Sequence, residues 1–319
     1  MQCRICGNAY GNQTYRVREL MFGYRETFDY FECSQCGCLQ ILEVPGDLSK
    51  HYPPAYYSFV PFEPRAVSFI KGFAKRLRGT YAASGRGILG RALFRMFPQP
   101  ELRPLARVRL SRNSRILDVG CGNGRFLQLL KEAGFERVLG VDPYIEGDTQ
   151  YANGLRILKR SLQQVGGEWD LIMFHHSFEH IPNPVETLQH SAAILSDGGC
   201  CLIRIPTVSS YAWRHYGICW VQLDAPRHFF LHSVTSIRLL AAKAGLRVKE
   251  VIYDSTEFQF WGSEQYLRDV PLNAEQSYAQ CPSGSIFSDA QIQSFRVRAD
   301  WLNRHGEGDQ AAFYLVKLT

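Results

Sequence analysis

The feature that most constrains this chain is an eleven-residue run from Leu117 to Leu127, LDVGCGNGRFL. A short apolar strand, Arg115 to Val119, leads into three glycines within five residues, Gly120, Gly122 and Gly124. An amphipathic helix follows from Arg125 to Ala133 and stops at Gly134. Glycines at a strand-to-helix turn let the backbone reverse sharply and come close to a ligand. Open α/β sheets bind ligands at that place, beyond the carboxyl ends of their strands. Asp142 stands 24 residues after Asp118, at the end of a second strand, Arg137 to Val141. A carboxylate there can accept hydrogen bonds from both ribose hydroxyls of an adenosine. Taken alone, the turn also fits a dinucleotide-dependent dehydrogenase.

The pattern continues as strands alternating with helices. Leu155 to Leu158, Trp169 to Phe174, Cys200 to Ile205, Leu246 to Tyr253 and Ala311 to Val316 read as further strands. Pro184 to Leu195 reads as a helix. A second helix spans Val234 to Ala244, with Ser233 as its N-cap and Gly245 past its end. This alternation predicts an α/β fold with a doubly wound, mostly parallel sheet. At 319 residues and 45% hydrophobic, the chain is long enough for one such domain plus small additions.

The run D-V-G-C-G-N-G resembles the first motif of class I S-adenosylmethionine-dependent methyltransferases. V-L-G-V-D resembles their ribose-binding motif, and E-W-D-L-I-M-F followed by L-S-D-G-G resembles their fourth and fifth strands. The resemblance covers about Ser114 to Tyr253 and implies a seven-stranded Rossmann-like sheet that binds S-adenosyl-L-methionine. It implies that Gly120, Cys121, Gly122 and Gly124 line the cofactor and that Asp118 helps hold its amino group. By the same resemblance Asp142 takes the ribose and Pro143 flanks the adenine. Ser161 and Leu162 stand where many members present an acid to the adenine amino group, so a backbone contact is expected there. The resemblance also implies that the turn beginning at His175, after the fourth strand, faces the sulfonium and the acceptor.

Two C-x-x-C pairs, Cys3/Cys6 and Cys33/Cys36, are each followed by glycine. Together they offer four thiolates for one tetrahedral zinc, a closed structural site with no catalytic role. MQCRICGNAY has no apolar leader segment, and no stretch approaches a membrane-spanning length, which predicts a reducing, cytoplasmic setting. Residues 1–50 are therefore read as a zinc ribbon, and 51–112 as a basic helical connector or lid. Residues 113–319 are read as the methyltransferase domain, with acceptor-side insertions at about 207–230 and 255–310. Between Arg65 and Arg115, thirteen Lys and Arg face a single acid, Glu101. That local net of +12 leaves −6 for the rest of the chain. Gly79 and the Ser84–Gly87 stretch are expected to break this segment into two helices whose apolar residues pack on the sheet domain. The alternative is that they rest on an anionic membrane.

Two stretches point to the acceptor. The first is His175-His176-Ser177-Phe178-Glu179-His180-Ile181-Pro182, after the fourth strand. Its His176, Glu179 and His180 are spaced for a divalent metal, although a loop ordered by Glu179 and His180 is the preferred reading. The second is Trp220 to His228, WVQLDAPRH, in which Asp224, Arg227 and His228 surround a proline. Here His228 could serve as general base for a hydroxyl; alternatively the three only pin the insertion. The ribbon, the connector H-Y-P-P-A-Y-Y, W-V-Q-L-D-A-P-R-H-F and Y-D-S-T-E-F-Q-F-W-G-S-E-Q-Y together resemble a bacterial group of sugar or cell-surface glycan methyltransferases. The expected acceptor is a small molecule, above all a sugar, nucleotide-sugar or glycan hydroxyl. Sugar C-methylation and RNA methylation are the alternatives. Against RNA, the fourth strand lacks both the Asn/Asp-Pro-Pro-aromatic motif and the Pro-Cys motif of base methylation.

Overall fold

The computed structural model describes residues 1–53, 56, 58–60 and 68–318. Three residues of the H-Y-P-P-A-Y-Y connector (54, 55 and 57) and Arg65 of the basic segment lie outside the described residues. The chain opens with strands β1 (Gln13–Arg18), β2 (Thr27–Glu32) and β3 (Leu39–Ile41), then helices α1 (Phe69–Ser84) and α2 (Ile88–Met96). Next come β4 (Arg115–Val119), α3 (Arg125–Ala133), β5 (Arg137–Val141), β6 (Thr149–Gln150), β7 (Arg156–Leu158) and β8 (Trp169–His175). They are followed by α4 (Pro184–Ile194), β9 (Leu195–Pro206), α5 (Tyr211–Tyr216), β10 (Phe230–Leu231) and α6 (Val234–Lys243). Strand β11 (Leu246–Tyr253), α7 (Phe258–Leu267), α8 (Asp289–Arg304) and β12 (Gln310–Lys317) complete it.

The large sheet has the order β11-β12-β9-β8-β4-β5-β7-β6. Its centre is parallel: β4 pairs β5 through Leu117↔Leu139 and pairs β8 through Leu117↔Ile172. Strands buried on both faces read as continuous apolar runs, and Ile116, Leu117, Leu171, Ile172 and Met173 are all buried. An eighth strand, β6, exceeds the seven expected. It is a two-residue antiparallel edge on β7, too short to leave a pattern in the sequence. Strand β9 begins at Leu195, ahead of the Cys200 start read from the sequence, and runs through Asp197-Gly198-Gly199 with Gly198 at φ +78°.

The chain divides into two compact units. One comprises Met1–Pro53, Phe178–Leu188 and Arg204–Tyr314; the other comprises Pro54–Ser177, Gln189–Ile203 and Leu315–Thr319. In the first unit β1, β2, β3 and β10 form a second, antiparallel sheet. Ser233 caps α6 by accepting from the Ser236 amide, as its sequence position predicts. In the second unit α3 buries Leu127, Leu130 and Ala133, and each buried leucine is worth about 1.5–3 kcal/mol. Gly79 does not break α1. It is buried, and a side chain there would run into Ala133 of α3, so glycine permits a close helix contact. The break falls instead at Gly85, which takes a left-handed φ of +71°. No helix among the described residues is long and apolar enough to cross a membrane.

Candidate active site

The glycine turn is built as the sequence suggests. Gly120, Gly122 and Gly124 hold φ of +73°, +53° and +79°, a region costly for any residue with a side chain. The Gly120 amide donates to the Val141 carbonyl at 2.8 Å and ties the turn to β5. Asp142 accepts from the Gly122 amide (2.9 Å) and, through its other oxygen, from the Tyr144 amide (2.8 Å). The two amides fix the plane of the carboxylate. Asn123 donates its amide to the Ser58 carbonyl (2.8 Å) and its side chain to the Val60 carbonyl (2.6 Å), so the connector lies along the turn. Ser177 donates to the Val119 carbonyl at 2.5 Å.

Asp118 is buried, and its Oδ1 has no hydrogen-bond partner among the described residues. Burial, reinforced by the neighbouring Asp142 carboxylate, pushes its pKa up to about 8. An orphaned buried carboxyl beside a cradle of left-handed glycines suits a ligand that brings an ammonium group. The donor set therefore fits S-adenosylmethionine. His175 stacks on Phe126 at 4.5 Å between ring centroids. Ser161 forms a capping box with Gln164, Leu162 is buried, Pro143 is exposed, and Cys121 is partly buried against Gly140.

In the other unit Arg227, fully buried, pairs with Asp224 and reaches Glu19 at 3.4 Å and the His51 carbonyl at 3.4 Å. Glu19 in turn accepts the Phe22 and Tyr24 amides, both at 2.9 Å. Burial opposes charge on Asp224. The adjoining Arg227 outweighs it, by its charge and its hydrogen bonds, and holds Asp224 down at about 2. Trp220, also fully buried, donates to Asp309 at 2.9 Å, so this indole is a fixture of the interior and not a platform open to a ligand. His228 Nδ1 lies 2.8 Å from the Gln222 carbonyl, and His180 Nδ1 lies 2.7 Å from the Arg227 carbonyl. A carbonyl can only accept, so both Nδ1 atoms carry protons. His228 Nε2 is 3.7 Å from Asp224 and 3.9 Å from Glu179. Burial lowers the His180 pKa and favours its neutral form. The donors near enough to share a cation are those of Glu179, His180 and His228; His176 is outside that group. Glu19 and Gln222 carry no signal in the sequence. Glu19 meets Arg227 across 208 positions of chain, and Gln222 acts through its backbone.

The four ribbon sulfurs lie within 4.8 Å of one another, with Cys3–Cys36 at 3.6 Å and Cys6–Cys33 at 3.5 Å. Tetrahedral zinc at about 2.3 Å from each sulfur needs neighbouring sulfurs about 3.8 Å apart, so the donor set fits. The two turns are alike. Cys3 and Cys33 donate their amides to Asn8 and Cys38, while Gly7 and Gly37 donate back to Cys3 and Cys33. Both glycines have positive φ, which closes each knuckle.

Residues 91–251, half of the chain, match the family model described as a methyltransferase domain, and the chain belongs to that family. It is an S-adenosylmethionine-dependent methyltransferase of class I. It is 28% identical over 182 residues to a ubiquinone biosynthesis O-methyltransferase of Nitrosospira multiformis, covering 49% of this chain and 74% of that one. A protein of the same name from Bordetella avium is 28% identical over 152 residues, covering 41% and 61%. Among solved structures, a SAM-dependent methyltransferase from Archaeoglobus fulgidus aligns with a TM-score of 0.40 at 20% identity, covering 65% of this chain and 86% of that one. The mycolic acid cyclopropane synthase CmaA1, complexed with SAH and CTAB, aligns with a TM-score of 0.45 at 18% identity, covering 77% and 93%.

Proposed function

We propose that this enzyme methylates a hydroxyl of a small molecule, with a sugar, nucleotide sugar or cell-surface glycan as the acceptor class. The observation that carries the reading is the His228 imidazole, whose Nδ1–H is held by the Gln222 carbonyl so that Nε2 is a proton acceptor. A base of that kind is what an alcohol needs and a more acidic acceptor does not. The low-identity likeness to O-methyltransferases of small molecules supports the same chemistry. The sugar class rests on the resemblance of the ribbon, connector and WVQLDAPRHF stretches to glycan methyltransferases.

Bound S-adenosylmethionine supplies an electrophilic methyl carbon on sulfur. In the proposed reaction His228 Nε2 would take the acceptor's hydroxyl proton as the oxygen takes the methyl group. Asp224 and Glu179 sit where they favour the imidazolium so formed. Arg227 acts as a positioning residue, since its guanidinium is enclosed by Asp224 and Glu19. Asp118 and Asp142 would hold the amino and ribose groups of the cofactor, and the glycine turn, Cys121 and the Pro143, Ser161, Leu162 and His175 positions would complete its seat. Cys3, Cys6, Cys33 and Cys36 would hold one structural zinc.

The test is a methyl-transfer assay on nucleotide sugars, glycans and simple phenols. An O-methyl sugar is the expected product. With that acceptor His228→Ala lowers kcat by ~10²–10⁴-fold and leaves S-adenosylhomocysteine affinity within about twofold. Transfer to phenols alone would remove the sugar class and leave O-methylation standing. Full turnover by His228→Ala would remove the base.

A further inference from the structure

The α1–α2 hairpin inverts the usual arrangement of a surface helix pair. Its inward contacts are made by small residues: Gly79, Ala82 and Ala83 of α1 and Gly90 of α2 are buried. A side chain at Gly90 would collide with the Leu77 carbonyl and Tyr81, so the two helices touch at their backbones. Tyr81 and Phe94 pack on each other between the helices, but other large apolar residues point outward. Phe69, Ile70 and Phe73 on α1, Ile88 and Leu89 on α2, and Phe97 just past it are 55–89% exposed. Single exposed apolar residues are ordinary, but six on one hairpin make a surface that water disfavours.

The charge around them has one sign. Lys71, Arg86, Arg91 and Arg95 are exposed on or beside the same helices, and no acidic residue occurs between Ser68 and Pro100. Beside the α1 start lies a groove of about 670 Å³. Phe69 and Phe73 line it together with Lys75, Arg76, Arg112 and Lys131, against two acids, Glu132 and Glu136. Aromatic walls next to an excess of cations suit a phosphate headgroup carrying acyl chains.

We propose that this hairpin docks the enzyme on an anionic phospholipid surface, with its exposed aromatic and aliphatic side chains entering the headgroup layer and its arginines meeting lipid phosphates. Nucleic acid would satisfy the arginines but gives Ile70, Ile88 and Leu89 nothing to bury in. The docking does not depend on which acceptor the enzyme uses.

The experiment is co-sedimentation of the full chain with vesicles of phosphatidylcholine alone and of phosphatidylcholine with phosphatidylglycerol at about three to one. Binding to the anionic vesicles only, weakened when salt rises from about 0.1 to about 0.5 M, is expected. Ile88→Ser/Leu89→Ser and Arg91→Glu/Arg95→Glu should each weaken it by ~10-fold or more, with S-adenosylhomocysteine binding unchanged as the check on folding. Should either fail that check, Phe69→Ser/Ile70→Ser takes its place. No binding to anionic vesicles overturns the proposal, as does vesicle binding indifferent to the serine substitutions. So does a salt-sensitive affinity for an RNA oligonucleotide that exceeds vesicle binding and ignores Ile88 and Leu89. A concentration-dependent dimer that the serine variants abolish, seen without vesicle binding, assigns the surface to a second copy of the chain and also overturns it.

Discussion

Asp118, behind the glycine turn, and Asp224, in the buried acceptor cluster, are both carboxylates taken out of water, yet they end on opposite sides of neutrality. Burial drives each toward its protonated form. Among the described residues Asp118 has another carboxylate, Asp142, as its charged neighbour and is pushed up to about 8; Asp224 has Arg227 and is held at about 2. The Arg227 cluster is thus electrostatically closed: guanidinium, two carboxylates and backbone amides satisfy one another without a ligand. Among the described residues the glycine turn has no such cation beside Asp118. In one region the charges are balanced within the fold; in the other a buried carboxyl is left without a counter-charge among the described residues.

The comparison can be broken in four places. The largest effect is expected at the ribbon that borders the closed cluster. Cys33→Ser, or a strong chelator, should release about one zinc per chain and lower Tm by more than ~10 °C, because metal and folding free energies are one quantity in such a site. Metal analysis and calorimetry on the same sample check it, and a metal-free protein with unchanged Tm would refute it. Next, Arg227→Met should destabilise by about 3–5 kcal/mol in urea titrations, since Asp224 and Glu19 would be left buried without their cation. A loss under about 1 kcal/mol would mean the cluster is not closed. Third, Asp142→Ala should weaken S-adenosylhomocysteine binding by ~10–100-fold in calorimetric titration, through lost charge-assisted hydrogen bonds, with little change in Tm.

The smallest effect is in protons, and its sign differs between the two carboxyls. Asp118 has a folded pKa above its unfolded value near 4. Its contribution to stability is therefore greatest below pH ~4 and is lost as pH rises toward about 8. Asp224 has a depressed folded pKa. Its contribution is present above pH ~4 and is lost as pH falls toward about 2. An ammonium placed against Asp118 favours its charged form, so cofactor binding at pH 7 should release up to about one proton from it. Titrations in buffers of different ionisation enthalpy measure this, and Asp118→Asn should abolish the difference. An equal release in the variant would place the proton elsewhere.

How far the sequence reads ahead follows from the same contrast. The cofactor turn works through backbone conformation and a strand-end acid, both written locally: Gly120, Gly122 and Gly124 mark where φ is positive, and Asp142 marks where β5 stops. The four cysteines are equally legible, because the knuckle spacing is itself the geometry. The acceptor cluster is legible only in part. WVQLDAPRH displays Asp224, Arg227 and His228, but their partners Glu19 and Glu179 come from distant chain, and nothing local announces a long-range ion pair. Gly79 was misleading because a glycine that breaks a helix and a glycine that admits a neighbouring helix look alike without the neighbour. The outward Phe69, Ile70 and Phe73 share the spacing of an inward stripe, since periodicity specifies a face and not what covers it.

The pairing of β10 with β3, Phe230 against Gln40 and Leu231 against Leu39, has a consequence for engineering. The ribbon looks like a detachable N-terminal tag, yet its outermost rung is supplied by chain nearly two hundred residues downstream. Excising residues 1–50 would strip the partner from Phe230 and Leu231 and bare two buried side chains next to His228. Transplanting the ribbon onto another methyltransferase would carry over a sheet missing its last strand. Ribbon and acceptor segment must therefore be swapped as a pair, and chimaeras that cut between them should misassemble even where each fragment is sound.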